Sequence, residues 1–67
     1  MSNSTIQLSV YRGYSDALHV AIDTGNTAEA VEVISGAGEA FRARQLSVEQ
    51  YGDLRADFSN HYPDINL

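Results

Sequence analysis

The sequence has no cysteine and no lysine, and Pro63 is its single proline. Without cysteine the chain can form neither a disulfide framework nor a thiolate-ligated metal site. A chain of 67 residues buries only about 60% of the surface that its unfolded form exposes, so its core is small. Packing alone or self-association must then supply the stability, which leaves a homodimer open as an oligomeric state.

Long apolar runs are also missing. Residues 1–5 contain no basic segment of the kind that opens a signal peptide, and no stretch approaches the length of a membrane span. We therefore expect a cytoplasmic protein that does not enter a membrane. We predict one small domain over residues 1–67, with residues 1–4 and 63–67 as flexible or docked tails.

Charge of one sign dominates. The formal net charge is -5, from nine carboxylates against four arginines. No lysine or arginine lies between Arg12 and Arg42, so this segment repels phosphate backbones and nucleic acid is an unfavoured ligand. The acidic residues of the segment are Asp16, Asp23, Glu29, Glu32 and Glu39. They form either a functional acidic face or a charge that only keeps a small protein in solution.

The first third of the chain has a strand-like pattern. Residues 5–11 alternate apolar and polar side chains, which is typical of a strand with one buried face. Turn formers follow and predict a chain reversal over residues 12–16. Residues 17–23 fit a strand or a helix, and we favour the strand because Val20 would lie off the apolar face of the helix. The pattern therefore predicts an N-terminal β-hairpin.

Two amphipathic helices are predicted to follow. Asn26 has a glutamate three residues later, which is capping-box spacing and predicts a helix over residues 27–44. Ser47 has a glutamine at the same distance and predicts a helix over residues 48–60. The predicted fold class is therefore α+β, an N-terminal β-hairpin followed by two α-helices, with a ribbon-helix-helix-like or mainly α chain as the alternative.

Gly36 and Gly38 lie inside the first predicted helix, where each glycine costs about 1 kcal/mol relative to alanine. The pair indicates either close approach of another backbone, which we favour, or a break in the helix. The pair lacks the third glycine and the lysine that a phosphate-binding loop has at fixed spacing, so it does not form such a loop.

The string Ala-Ile-Asp-Thr-Gly at residues 21–25 resembles the apolar-apolar-Asp-Thr-Gly signature of aspartic proteases. In that family two such aspartates share a proton, and the retroviral type obtains its second copy by dimerising. The resemblance would imply a catalytic Asp23 in an all-β dimer. A turn between two elements accounts for the same residues, because aspartate and glycine are common in turns.

Part of the chain also resembles the ribbon-helix-helix regulators. Those dimers pair one strand from each chain, place its polar face in the major groove of DNA, and join two helices through a Gly-x-Ser/Thr turn. Residues 25–27 match the turn, and residues 5–11 would be the strand. The family surrounds its ribbon with lysine and arginine, whereas this chain has only Arg12 nearby.

No catalytic or metal-binding pattern is evident in the sequence. His19 and His61 are separated by most of the chain, and no serine lies in a Gly-x-Ser-x-Gly string. We therefore expect no enzyme, no metal and no cofactor.

The leading functional hypothesis is a small acidic protein-binding module that inhibits or regulates a macromolecular partner, of the phage anti-host or antitoxin type. Its partner would be a protein with a basic surface. The alternative is a dimeric DNA-binding regulator of the ribbon-helix-helix type. Tyrosines are expected as interface anchors beside the acidic side chains. The predicted partner-binding residues are Tyr11, Tyr14, Asp16, Glu29, Glu32, Glu39, Asp53 and Asp57.

Overall fold

The computed structural model describes residues 3–65, with side chains from Ile6 onward. Its elements are α1 (Asn3–Asp23), α2 (Thr27–Arg42) and α3 (Val48–His61). Short connections join them, so consecutive helices pack as antiparallel neighbours around one core. No strand is present between residues 3 and 65, and the α+β prediction with its N-terminal β-hairpin is therefore wrong.

The first helix forms because one stripe of its surface is apolar. Tyr11, Tyr14, Leu18 and Ala21 are spaced three and four residues apart, which places them on one helix face. Leu18 and Ala21 are buried at 0% and 1% exposure, and the two tyrosines are partly buried against the same core. Burying a leucine contributes roughly 1.5–3 kcal/mol. This burial outweighs the strand preference of the intervening residues.

A continuous helix replaces the predicted hairpin. Residues 5–11 and 17–23 are both helical, and the reversal predicted over residues 12–16 lies in the middle of α1. The alternating apolar residues are divided between the core and the solvent, with Ile6 47% and Val20 62% exposed. A ribbon-helix-helix fold requires a strand in the first of these segments, so that part of the alternative is wrong, whereas the mainly α part is confirmed.

α1 ends in a Schellman motif at Gly25. The Gly25 N–H donates to the Ile22 carbonyl at 3.1 Å. The Asn26 N–H donates to the Ala21 carbonyl at 2.8 Å, so two carbonyls at the helix end are satisfied. Gly25 has a φ of 68°, which glycine adopts without strain. Asn26 also caps α2, because its side chain accepts from the Glu29 N–H at 3.1 Å, which confirms the predicted cap.

α2 ends in the same motif with an arginine in the position of glycine. The Arg44 N–H donates to the Phe41 carbonyl at 3.0 Å. The Gln45 N–H donates to the Ala40 carbonyl at 2.8 Å. Arg44 has a φ of 62°, a conformation that is costly for a residue with a Cβ. Gln7 Nε2 donates to the Arg44 carbonyl at 3.4 Å and links this connection to α1.

α3 begins with the capping box predicted from the sequence. Ser47 Oγ accepts from the Gln50 N–H at 3.1 Å, and the Ser47 N–H donates to Gln50 Oε1 at 3.0 Å. Leu46, directly before the cap, is buried at 2% exposure. The helix extends to His61, one residue beyond the prediction, whereas α2 ends at Arg42, two residues before its predicted end.

The two glycines of α2 do not break the helix. A Cβ at Gly36 would lie 3.2 Å from Tyr14 Cε1, and one at Gly38 would lie 3.1 Å from Tyr51 Oη. The groups that approach are therefore tyrosine side chains and not the backbone that we expected. The Tyr51 ring also stacks on Phe41, with 5.1 Å between centroids and an interplanar angle of 13°. α2 thus packs against both α1 and α3, and one of its two glycines faces each of these helices.

The segment after α3 packs on the core. Tyr62 and Ile65 are partly buried against it, and the Tyr62 ring centroid lies 5.2 Å from that of Phe58. The Ile65 N–H donates to the Tyr62 carbonyl at 3.1 Å. Of the predicted tails, residues 1, 2, 66 and 67 lie outside the described residues.

Candidate functional site

A groove open to solvent runs between α1 and α2, with a volume of about 400 Å³. No described residue of α3 lines it. Its lining residues are Ser9, Val10, Gly13, Tyr14, Ala17, Val33 and Gln45. We call this feature the α1–α2 groove. Most of its lining is apolar, with polar side chains mainly at the end near the second connection.

α1 places a second apolar stripe along this groove. Its members are Ile6, Val10, Gly13, Ala17 and Val20. They recur at alternating steps of four and three residues, which is the heptad spacing by which one helix packs along another. The two ends of this outer stripe are exposed, Ile6 at 47% and Val20 at 62%. Gly13 is exposed as well, whereas Val10 and Ala17 are partly buried against the core, so the described residues cover the stripe only in part.

The outer stripe was not predicted, because the strand prediction covers these residues. The signal was present, since residues 6, 10, 13, 17 and 20 follow a heptad. The same segment also alternates with a period of two, and the strand prediction rests on that alternation.

Exposed carboxylates border the groove. Asp16 is three residues after Gly13 on α1, and Glu29 is four residues before Val33 on α2, so each lies beside a groove residue on its helix surface. Asp23 is seven residues after Asp16 and Glu32 is three residues after Glu29, so each is on the same helix face as the first carboxylate, and we call these four exposed carboxylates the acidic rim. No arginine is among the described residues that line the groove. The groove is therefore apolar inside and has carboxylates on both helices beside it, with Arg12 one turn before Asp16 on α1.

Half of the predicted partner-binding residues meet at this place. Asp16, Glu29 and Glu32 belong to the acidic rim, and Tyr14 lines the groove. Tyr14 also packs against α2, so it contributes to the fold as well as to the surface. Tyr11 is partly buried against the core and does not line the groove.

The other predicted residues lie elsewhere. Asp57 Oδ2 is 3.8 Å from His19 Nε2, which joins α3 to α1. His19 is two residues from Ala17, about 200° around the helix, and so lies on the side of α1 opposite the groove. Asp53 is exposed one turn earlier on α3. Glu39 lines a separate depression between α2 and α3. The predicted acidic face is therefore divided among three parts of the surface.

Three of the four arginines lie around the second connection and on α3. Arg42 and Arg44 line a hollow of about 520 Å³ together with Phe41 and with Gln7 of α1. The guanidinium carbon of Arg55 lies 5.8 Å from the centroid of the Tyr51 ring, a cation–π arrangement. Arginines thus lie around the second connection and on α3, near which Glu39 and Asp53 also lie, whereas no arginine is among the described residues that line the α1–α2 groove.

Within residues 3–65, no three histidine, aspartate or glutamate side chains are grouped closely enough to hold a metal ion. Asp23 is the last residue of α1 and Gly25 is the left-handed position of its Schellman motif. The protease-like string is therefore a helix end and not the active-site loop of an all-β dimer. His61 Nδ1 lies 3.0 Å from the Asp57 carbonyl oxygen of its own helix.

No helix among the described residues combines the length and the apolar character that crossing a membrane requires. No known family model, curated protein or solved structure matches this chain. The α1–α2 groove and its acidic rim are therefore the structural basis for a functional proposal.

Proposed function

We propose that this protein is a binding module that regulates or inhibits another protein by covering a basic surface of that partner. One observation carries the proposal: exposed carboxylates from two helices lie beside an apolar groove that is open to solvent among the described residues. An apolar centre with a polar edge is the usual anatomy of a protein interface.

The acidic rim would make this interface selective for basic partners. Carboxylates at the edge of an interface attract a basic surface, speed association and disfavour acidic partners. The apolar groove supplies contact area that does not depend on salt. Binding is therefore expected to weaken in salt without being abolished by it.

Capture from a lysate of the native host tests the proposal. The tagged protein should recover one basic protein, identified by mass spectrometry, after nuclease treatment and with lower yield at high salt. The double variant Asp16→Lys/Glu32→Lys should reduce this recovery at least tenfold, because it reverses charge on both edges of the groove. The matched control Glu49→Lys/Asp53→Lys changes two exposed α3 carboxylates and has the same net charge.

The control separates a local effect from a global one. Retention of the partner by the α3 variant and its loss by the rim variant would support the proposal. Equal loss in both variants would show that net charge alone drives the interaction. Recovery of nucleic acid only, or of no partner, would overturn the proposal.

A further inference from the structure

We infer that the α1–α2 groove binds an amphipathic α-helix that carries lysine or arginine along both of its flanks. The bound helix would lie along α1 as the fourth helix of a bundle. This inference rests on the proposed function and deepens it, because it names the shape and the chemistry of the partner segment.

The outer stripe argues for a helix as the occupant. From Ile6 to Val20 it extends about 21 Å along α1, which is four helical turns. Its heptad spacing matches the side chains of a second helix and not the spacing of a strand. Gly13 and Ala17 are small and lie within the stripe, so another helix can approach closely there. A partner segment of about fourteen residues or more would cover the stripe.

The acidic rim argues for the charge of that helix. Asp16 and Asp23 lie along the α1 edge of the groove, and Glu29 and Glu32 along the α2 edge. A helix in the groove would therefore have carboxylates on both sides, and basic residues at its flanks would complement them. A second copy of this chain would bring a net charge of -5 to a partner of the same charge. Charge thus favours a different, basic protein.

Gly13 provides a way to fill the groove without disturbing the fold. Nothing lies within 4 Å of the position that a Cβ would take at Gly13. A glutamine there would project into the groove and would favour the helix more than glycine does. Gly52 on α3 has the same free space and does not line the groove. Gly13→Gln and Gly52→Gln are therefore a matched pair.

The probe is a synthetic peptide of three heptads with leucine at the a and d positions and arginine at e and g. A control peptide has glutamate at e and g. Titration into the isotope-labelled protein, followed by NMR, should shift the amide signals of the groove residues. The arginine peptide should bind at least tenfold more tightly than the glutamate peptide. Gly13→Gln should weaken binding at least tenfold, whereas Gly52→Gln should leave it within twofold and both should keep their helical circular dichroism.

Three results would overturn the inference. The shifts could map to α3 in place of the groove, or the two peptides could bind equally. Light scattering could also show a dimer of the protein that Gly13→Gln dissociates, which would assign the groove to a second copy.

The native partner separates this inference from the proposed function. If the charge-reversed rim variant loses that partner while Gly13→Gln keeps it, the acidic module stands and the helix-binding groove is wrong. If neither the arginine peptide nor a native partner binds, both are wrong.

Discussion

α2 contacts α1 on one side and α3 on the other, and the two interfaces are built alike. On each side a glycine of α2 receives a tyrosine side chain, Tyr14 at Gly36 and Tyr51 at Gly38. The connection on each side begins with a Schellman motif. The outer surfaces nevertheless differ, because the apolar α1–α2 groove lies on the α1 side, whereas stacked rings and arginines lie on the α3 side together with carboxylates of α3.

The motifs that the two interfaces share indicate which features the fold requires. Both sides use the same motifs to form the bundle, so the fold does not depend on the difference between their outer surfaces. Within the outer stripe, Val10 and Ala17 pack against the core, whereas Ile6, Gly13 and Val20 are exposed and add little to it. Binding is therefore inferred from the features in which the two sides differ.

The largest expected effect tests whether α1 and α3 contribute equally to the core. Leu18 on α1 and Leu54 on α3 are both 0% exposed. Leu18→Ala and Leu54→Ala should each lower the free energy of unfolding by about 2–5 kcal/mol. Total stability for a domain of this size is about 3–10 kcal/mol, so either variant comes close to unfolding. Urea denaturation followed by circular dichroism measures both.

Val20→Ala is the control for this comparison. Val20 is 62% exposed on the same helix, and its truncation should change stability by no more than about 0.5 kcal/mol. A cost below about 1 kcal/mol for Leu18→Ala with a full cost for Leu54→Ala would contradict the packing of α1.

A smaller effect should separate the two glycine–tyrosine contacts. At Gly36 a new methyl group would press on the ring of Tyr14, 3.2 Å away, whereas at Gly38 it would meet the terminal hydroxyl of Tyr51 at 3.1 Å. The ring edge is held between two helices, but the hydroxyl is the far end of its side chain. Alanine gains about 1 kcal/mol of helix propensity at either position. Gly36→Ala should therefore destabilise by about 1 kcal/mol, and Gly38→Ala should be neutral within about 0.5 kcal/mol.

The thermal midpoints of the two variants measure this difference. A decrease for Gly38→Ala as large as that for Gly36→Ala would show that both tyrosines are held equally tightly. An increase for both would show that neither interface is close-packed at its glycine.

The sequence was sufficient for the second half of the fold because local signals decide it. The Ser47 capping box and the Asn26 cap are side-chain hydrogen bonds between residues three apart, so spacing alone predicts them. α1 has no comparable signal in its first described turns. Its residues alternate as a strand would, and the contact of Leu18 with other helices decides the outcome. Val20 lies off the buried face of α1, as expected for a helix, so its exposure is not evidence for a strand.

The candidate site divides in the same way. The carboxylates of the acidic rim could be named in advance because charge is visible in the sequence. The groove itself could not, since it exists only where Val10 and Ala17 of one helix pack beside Val33 of another. A hairpin at residues 5–23 would have placed these side chains differently.

The smallest effects test the two connections, which share a backbone motif but not a residue. Gly25 and Arg44 occupy the same left-handed position, with φ of 68° and 62°. Gly25→Ala should destabilise by about 1 kcal/mol and Arg44→Gly should stabilise by about 0.5–1 kcal/mol, because only glycine adopts this conformation without strain. In a domain of this size 1 kcal/mol shifts the thermal midpoint by about 4–8 °C, so calorimetry resolves both changes. A loss of stability in Arg44→Gly would show that the arginine side chain contributes more to the second connection than its conformation costs. The two sides of α2 would then differ in their packing as well as in their surfaces.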